Sequence, residues 1–200
     1  DIDQTLADTK AKIYVVDKNT GEIKHKLSNQ EFNTYTLQDD EEFDFREFKD
    51  ASLFKSTSDP IQPMIDRIKR MVSMLKKNYR GSWIVFLTAR ADFDNKEEFL
   101  NWFREQGIDV DFPNLYIERT GNQRTGTVAE RKKKTIMEYL KRYDFKRVRM
   151  FDDSTNNLKE FIRMTEEIPQ DIIESVRDEY DIPKDEPAQT WFALHVGDKG

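Results

Sequence analysis

Val148-Arg149-Met150-Phe151-Asp152-Asp153 decides how this chain is read. An apolar run that ends abruptly in two carboxylates reads as a buried strand handing over to a loop. Trp83-Ile84-Val85-Phe86-Leu87 is a second continuous apolar run of the buried, parallel-strand type, and it ends on a polar residue, Thr88. At the start of the chain, Asp1-Ile2-Asp3-Gln4-Thr5 sets two more carboxylates two residues apart. In an open parallel α/β sheet, ligands gather at the carboxyl ends of the strands. If the strands ending in these residues lie side by side, Asp1, Asp3, Asp152 and Asp153 meet in one crevice. Four carboxylates repel one another unless a hard cation sits among them, and Mg²⁺ prefers oxygen ligands of this kind. Taken singly, an Asp or Thr after a strand is ordinarily a helix cap or turn former. Only the combination points to chemistry.

Outward from these runs, strand and helix alternate. Ile61, Met64, Ile65, Ile68, Met71, Val72 and Leu75 form one apolar stripe, with Ser58 or Asp59 as cap and Pro60 at the start. Asn95 with Glu98 opens a second helix that Gly107 closes, and Leu115-Tyr116-Ile117 is a short strand. Thr127 with Glu130 caps a third helix, and residues 157–164 form a fourth. From residue 61 onward these lengths suit right-handed crossovers and a parallel sheet. Earlier, residues 13–16 and 22–27 flank Asp17-Lys18-Asn19-Thr20-Gly21 and predict a β-hairpin. Residues 29–59 lack periodicity but carry Phe32, Tyr35, Phe43, Phe45, Phe48 and Phe54, which predicts an insertion of short strands and turns packed by its own aromatics. The expected fold is α/β: a Rossmann-like parallel sheet flanked by helices over residues 1–9 and 59–200, with a small β-rich, cap-like insertion over residues 10–58.

Composition narrows the function. Two hundred residues suit one domain with an insertion. The chain is 36% charged with a net charge of −6, which argues against non-specific attraction to nucleic acid or anionic membrane. It has no cysteine, so thiol catalysis, Cys-based zinc sites and disulfides are excluded, and a reducing cytoplasm fits. No apolar stretch approaches the ~20 residues of a membrane span. His25 and His195 carry no ligand spacing, and the acidic run 39–42 reads as a solvated loop.

The ordered set Asp1-x-Asp3-x-Thr5, Val85-Phe86-Leu87-Thr88, a lysine among Lys132-Lys133-Lys134, and Met150-Phe151-Asp152-Asp153 resembles the four motifs of the haloacid dehalogenase-like (HAD) phosphohydrolases. The resemblance covers residues 1–153 and implies a Mg²⁺-dependent phosphatase. Asp1 would be the nucleophile that forms an aspartyl-phosphate, and Asp3 the general acid and base. Asp1, the Asp3 backbone carbonyl, Asp152 and, directly or through water, Asp153 would hold Mg²⁺. Thr88 and a lysine would stabilise the phosphoryl group, with Thr5 and Arg90 near the substrate. Within the third helix, Ile136, Met137 and Leu140 mark the buried side. Lys133 lies three before Ile136 and four before Met137, so it is the expected lysine, with Lys132 as the alternative. Substrates implied are a phosphorylated small molecule or a nucleotide.

At a finer level, Thr88-Ala89-Arg90 and the arginines Arg119, Arg124 and Arg131 resemble the 3′-phosphatase domains of polynucleotide kinases, which would act on 3′-phosphorylated nucleic-acid ends. The chain as a whole is similar to phosphatase-like proteins of large tailed bacteriophages, which would place it in the host cytoplasm. The rival reading is a non-enzymatic phage structural or scaffold protein that kept the fold. A doubly wound sheet usually puts its first strand at the centre. The sequence therefore predicts apolar, β-branched or aromatic residues directly before Asp1, and a frayed Asp1 whose ammonium competes with Mg²⁺ without them.

Overall fold

The computed structural model describes residues 1–78 and 81–197. After a short strand β1 (Ala7–Asp8), the expected hairpin forms as β2 (Ile13–Asp17) and β3 (Ile23–Leu27), paired antiparallel. Its turn is built by Asp17, whose carboxylate accepts the N–H groups of Asn19 and Thr20, and by Gly21 at φ +72°. Ser28 and Glu31 cap a single helical turn, α1 (Asn29–Phe32), and β4 (Glu41–Asp44) adds to the far edge of β2. Ile13, Val15 and Leu27 are buried under Phe32, Tyr35, Phe43 and Phe48, a small core separate from the main one. The rings meet edge to face, with Phe32 and Phe43 centroids 4.8 Å apart.

The insertion is less β-rich than expected. Residues 51–57 form a helix, α2 (Ala51–Thr57), capped by Asp50, and its Ala51 and Phe54 are buried in the main core. Phe54 packs on Phe93, Phe99 and Trp102, so its aromatic belongs to the body of the protein and not to the insertion. Strand β5 (Asp59–Pro60) pairs antiparallel with β1 and pinches the insertion at its root. That pairing consumes Asp59 and Pro60, so the helix begins two residues later than expected. In α3 (Gln62–Lys77), Ile61 holds the cap position without a side-chain bond, and Pro63 supplies the first-turn proline.

The alternation after residue 61 forms as read. Strand β6 (Ile84–Thr88) leads to α4 (Lys96–Glu105), capped by Asn95 and ended by Gly107 at φ +80°. Next come β7 (Leu115–Arg119) and α5 (Val128–Arg142), whose Thr127–Glu130 capping box is complete. Strand β8 (Arg147–Asp152) follows, then α6 (Thr155–Arg163), α7 (Gln170–Tyr180) and β9 (Thr190–His195). The architecture is mixed α/β with small sheets. Strands β6 and β7 pair in parallel, as do β8 and β9, but no ladder joins β6 to β8 among the described residues. Each pair has its own core. Phe86, Phe99, Trp102 and Phe103 belong to the larger one, and Met150, Leu158, Phe161 and Met164 to the smaller. No helix among the described residues is long and apolar enough to cross a membrane.

The loop after β6 is braced from behind. Thr120 Oγ1 donates to the Thr88 carbonyl at 2.9 Å, and Gly121 N donates to the Arg90 carbonyl at 3.1 Å. A Cβ on Gly121 would lie 2.5 Å from both the Arg90 carbonyl carbon and the Ala91 nitrogen. Backbone atoms cannot swing aside as a flexible side chain does. Gly121→Ala should therefore cost about 1–3 kcal/mol as an overpacking change, read as a lower urea midpoint. Gly197→Ala, whose added Cβ meets nothing within 4 Å, is the control expected to stay near the parent value. Equal midpoints for the two variants would show that the loop gives way freely.

Candidate active site

The chain turns sharply after its first residues. The Ile2 carbonyl accepts N–H groups from Thr5, Leu6 and Ala7, and Gln4 takes a left-handed φ of +59° to allow it. A side chain at positive φ is strained, and Gln4 offsets this by accepting the Thr9 N–H on its own Oε1 at 3.2 Å. Ile2 and Leu6 go into the core, and Asp1 and Asp3 are left half-buried at its edge. Asp1 is tied rather than frayed: its nitrogen donates to the Phe151 carbonyl at 3.0 Å.

Lys132 holds the centre. Its Nζ donates to Asp1 Oδ1 at 2.9 Å and to Asp152 Oδ2 at 2.7 Å, with 2% of its side chain exposed. Asp152, fully buried, also accepts the Ser154 N–H at 2.8 Å and both carboxylate oxygens take the Asn157 amide, at 3.2 and 3.1 Å. Lys133, the expected residue, points elsewhere and pairs with Glu160 and Glu167. Both lysines satisfy the spacing to Ile136, but α5 packs against α6 along the Lys133 flank, and its other flank faces the strand ends. Lys134 is exposed.

One carboxylate oxygen each from Asp1, Asp152 and Asp153 lies within 4.8 Å of the others, a group able to hold a metal ion. Burial and then the neighbouring Asp152 charge push the Asp153 carboxyl up to about 6. Burial also pushes Asp152 upward, but the Lys132 charge and hydrogen bond and the Asp1 ammonium outweigh it and hold Asp152 below the ordinary value. Burial, then the Lys132 charge, lower the Asp1 ammonium to about 5, so at neutral pH it does not bring the competing positive charge that the sequence suggested.

Asp3 is locked separately. Arg90, its side chain 2% exposed, donates Nε to both Asp3 oxygens at 3.0 Å and a terminal nitrogen to Oδ1 at 2.6 Å. Its other terminal nitrogen donates to the Phe48 carbonyl at 3.0 Å, and its guanidinium lies 4.6 Å from the Phe48 ring centroid. Thr9 Oγ1 donates to Asp3 Oδ1 at 2.9 Å. Burial raises the Asp3 carboxyl, yet the Arg90 charge and hydrogen bonds and the Thr9 hydroxyl outweigh it and leave Asp3 below the usual range. The Asp3 carboxylate is therefore not in the metal-competent group, and it is ionised at neutral pH.

The remaining expected residues brace more than they present. Thr5 is buried and donates to Asp1 Oδ2 at a long 3.4 Å. Thr88 is fully buried, and its Oγ1 accepts the Arg90 N–H at 3.2 Å. Arg119 lies 3.6 Å from Asp92, Arg131 donates to the Gln123 carbonyl, and Arg124 is exposed, so the three do not converge. Sequence reasoning missed Asn157 and Thr9. The first had a signal, since Ser154 opens α6 and Asn157 is three residues on, where a side chain can turn back towards the preceding strand end. The second had none. His195 Nε2 lies 3.1 Å from the Asp153 carbonyl and so steadies that residue from behind. No family model, curated protein or solved structure matches the chain.

The raised Asp153 carboxyl links stability to pH. The folded state holds this proton more tightly than the unfolded chain, whose value is 3.8. Stability is therefore lost as pH rises from about 3.8 to about 6, and the penalty is complete above that window. It amounts to at most about 3 kcal/mol. In the presence of a chelator, Asp153→Asn should be more stable than the parent at pH 8 and should lose most of that advantage near pH 4, as read from urea unfolding at both values. A difference independent of pH would assign the effect to packing.

Proposed function

We propose that the chain is a Mg²⁺-dependent phosphomonoester hydrolase of the HAD-like kind, with a Rossmann-like core, acting on a phosphorylated small molecule or nucleotide. The observation that carries this reading is an imbalance of charge. Asp1, Asp152 and Asp153 face a single ammonium, Lys132, while Asp3 and Arg90 neutralise each other. Two negative charges are left over where the chain gathers its strand ends. A buried ion network stabilises a fold poorly, and an apolar replacement is often neutral or better. An all-oxygen donor set with this excess fits Mg²⁺, which Asp1, Asp152 and Asp153 would hold. Bound there, the ion supplies charge neutralisation between the carboxylates and an incoming phosphate.

The chain's own groups divide the work. Asp1 Oδ1 is engaged by Lys132, whereas Oδ2 has only the long Thr5 contact, so Oδ2 is the free nucleophile. Its attack forms the O–P bond as the P–O bond to the leaving alcohol breaks, giving an acyl phosphate on Asp1. Water then attacks phosphorus, releasing inorganic phosphate and restoring the carboxylate. Lys132 fixes the Asp1 carboxylate for attack and offsets charge on the phosphoryl oxygens. Asp3, held ionised by Arg90, suits the base that takes the water's proton. Its acid duty towards an alkyl leaving group requires the Arg90 pairing to loosen, whereas an aryl leaving group departs without a proton.

The test is hydrolysis of p-nitrophenyl phosphate with and without Mg²⁺. Asp1→Asn should abolish turnover, and Lys132→Met should reduce kcat about 10²–10³-fold, the scale of losing one transition-state donor. Lys133→Met, a surface change, should leave it within about twofold. Equal losses at Lys132 and Lys133 would sink the assignment of the lysine. Substantial hydrolysis by Asp1→Asn would sink the nucleophile. Absence of Mg²⁺-dependent turnover over nucleotide, sugar and 3′-phosphorylated oligonucleotide substrates would favour the structural-protein reading.

A further inference from the structure

Strands at a sheet edge are ordinarily blunted by charged side chains, which keep other chains from pairing with them. Strand β3 carries Lys24 and Lys26, β4 carries Glu41, Glu42 and Asp44, and β7 carries Glu118 and Arg119. Strand β9 is different. From Thr190 to His195 it holds no Lys, Arg, Asp, Glu or Pro. It pairs with β8 on one side, and no described residue pairs with the other. Thr190 N donates to the Lys146 carbonyl and Val196 N to the Asp152 carbonyl, which fixes the phase of that ladder. Successive residues of a strand turn their backbone groups to opposite sides. The N–H and C=O groups of Trp191, Ala193 and His195 therefore point away from β8, to the open side.

Beside this edge lies a groove of about 440 Å³, lined by Thr155, Leu158, Lys159, Ile162 and Arg163 of α6 and by Ala193. Ala193 belongs to both features, so a segment that pairs with β9 also lies along the groove. Ile162 is 44% exposed on this side, and Phe192, which alternation puts on the other face of β9, is 45% exposed. The charge around them is positive. Lys159 and Arg149 are exposed and form no ion pair with a described residue. Arg163 is 70% exposed beside Glu160, and Arg149 lies 5.7 Å from the Phe192 ring centroid.

These features together favour one kind of occupant. A helix or a small apolar ligand makes no use of the backbone edge, because neither offers it a ladder. A nucleic acid meets the cations but leaves the edge and the apolar groove unused. A second copy, pairing β9 with β9 about a two-fold axis, sets the two cationic rims against each other, and like charges across a strand pair are destabilising. An extended segment with carboxylates meets all three features.

We infer that β9 and α6 form a docking site for an extended, acidic segment of another protein, which adds to the sheet as a strand beyond β9. Its side chains alternate, with apolar ones towards Ile162 and the groove and acidic ones towards Arg149, while flanking carboxylates meet Lys159 and Arg163. The inference rests on the edge and the groove, not on the phosphatase reading, and its test does not use activity.

The experiment titrates a fluorescein-labelled peptide of about eight residues, Ile and Glu in alternation and long enough to span β9, and reads anisotropy. Binding should saturate at one peptide per chain and weaken as salt rises. A peptide alternating Ile and Lys should bind about tenfold more weakly or worse. N-methylation of alternate amides separates strand pairing from simple charge attraction. Methylating the set that faces β9 should abolish binding, and methylating the other set should leave it within about threefold. Ala193→Pro removes an outward N–H and spares the β8 ladder, so it should abolish binding with Tm close to the parent. Lys159→Glu combined with Arg149→Glu should shift the preference to the Lys peptide. No binding up to about 1 mM peptide overturns the inference. So do equal affinities for the two methylated peptides, or for the Glu and Lys peptides. Self-association of the chain that Ala193→Pro abolishes would also overturn it, by giving the edge to a second copy.

Discussion

One buried ammonium holds the candidate site together. Lys132 comes from α5, Asp152 from the end of β8, and Asp1 from the other end of the sequence, and no backbone ladder brings all three to one point. The lysine does so by charge. Removing it would leave two carboxylates facing each other in a poorly solvated place, a change of the kind that costs about 3–5 kcal/mol. Removing all three charges together would cost far less. The arrangement is therefore strong against partial loss and weak as a reason for the fold, which is why chemistry accounts for it better than stability does.

A second lock, separate from the first, connects the site to the insertion. Arg90 spends three hydrogen bonds on Asp3 and one on the Phe48 carbonyl, and its guanidinium also lies near Phe54 and Phe93. Asp3 cannot change protonation without altering the balance at Arg90, and Arg90 cannot shift without disturbing the segment that follows the small aromatic core. Asp3 and the segment ending at Phe48 are thus connected through one side chain. The Arg90 backbone in turn rests directly against Gly121.

The sequence was most legible where one local rule sufficed. The hairpin followed from Asp17 to Gly21, the second and third helices from their caps, the strand ending in Thr88 from an unbroken apolar run, and the one ending in Asp152 from a run broken only by Arg149. It was least legible where a residue had two uses. Asp59 and Pro60 look like a helix start and instead close the insertion against β1. Phe54 looks like one more insertion aromatic and instead enters the main core. At the site, Asp1 comes together with Asp152 and Asp153 while Arg90 holds the Asp3 carboxylate apart, and Lys132 and Lys133 satisfy the same helical spacing. Which of them turns towards Asp1 depends on which flank of α5 meets α6, and no one-dimensional pattern carries that. Arg90 was visible only as a residue near substrate, and its grip on Asp3 arises from a contact 87 residues apart in sequence.

The position of Lys132 also limits how tightly the site can hold a cation. An ammonium and a divalent ion are rivals for the same Asp1 and Asp152 oxygens, and at 2.9 and 2.7 Å the lysine already takes one from each. With Asp1 Oδ2 kept for attack, the oxygens left for an ion are Asp152 Oδ1, which also accepts the Ser154 N–H and the Asn157 amide, those of Asp153, and Asp1 Oδ1 shared with Lys132. Asp153 is the carboxyl that holds its proton up to about 6, so below that value protons occupy the most available ligand. On the proposed reading, a site built this way would bind a divalent ion modestly and more firmly as pH rises past 6. Such behaviour would suit the proposed cofactor, which would have to share its charge with a phosphate, since an ion fully satisfied by carboxylates would have none to offer.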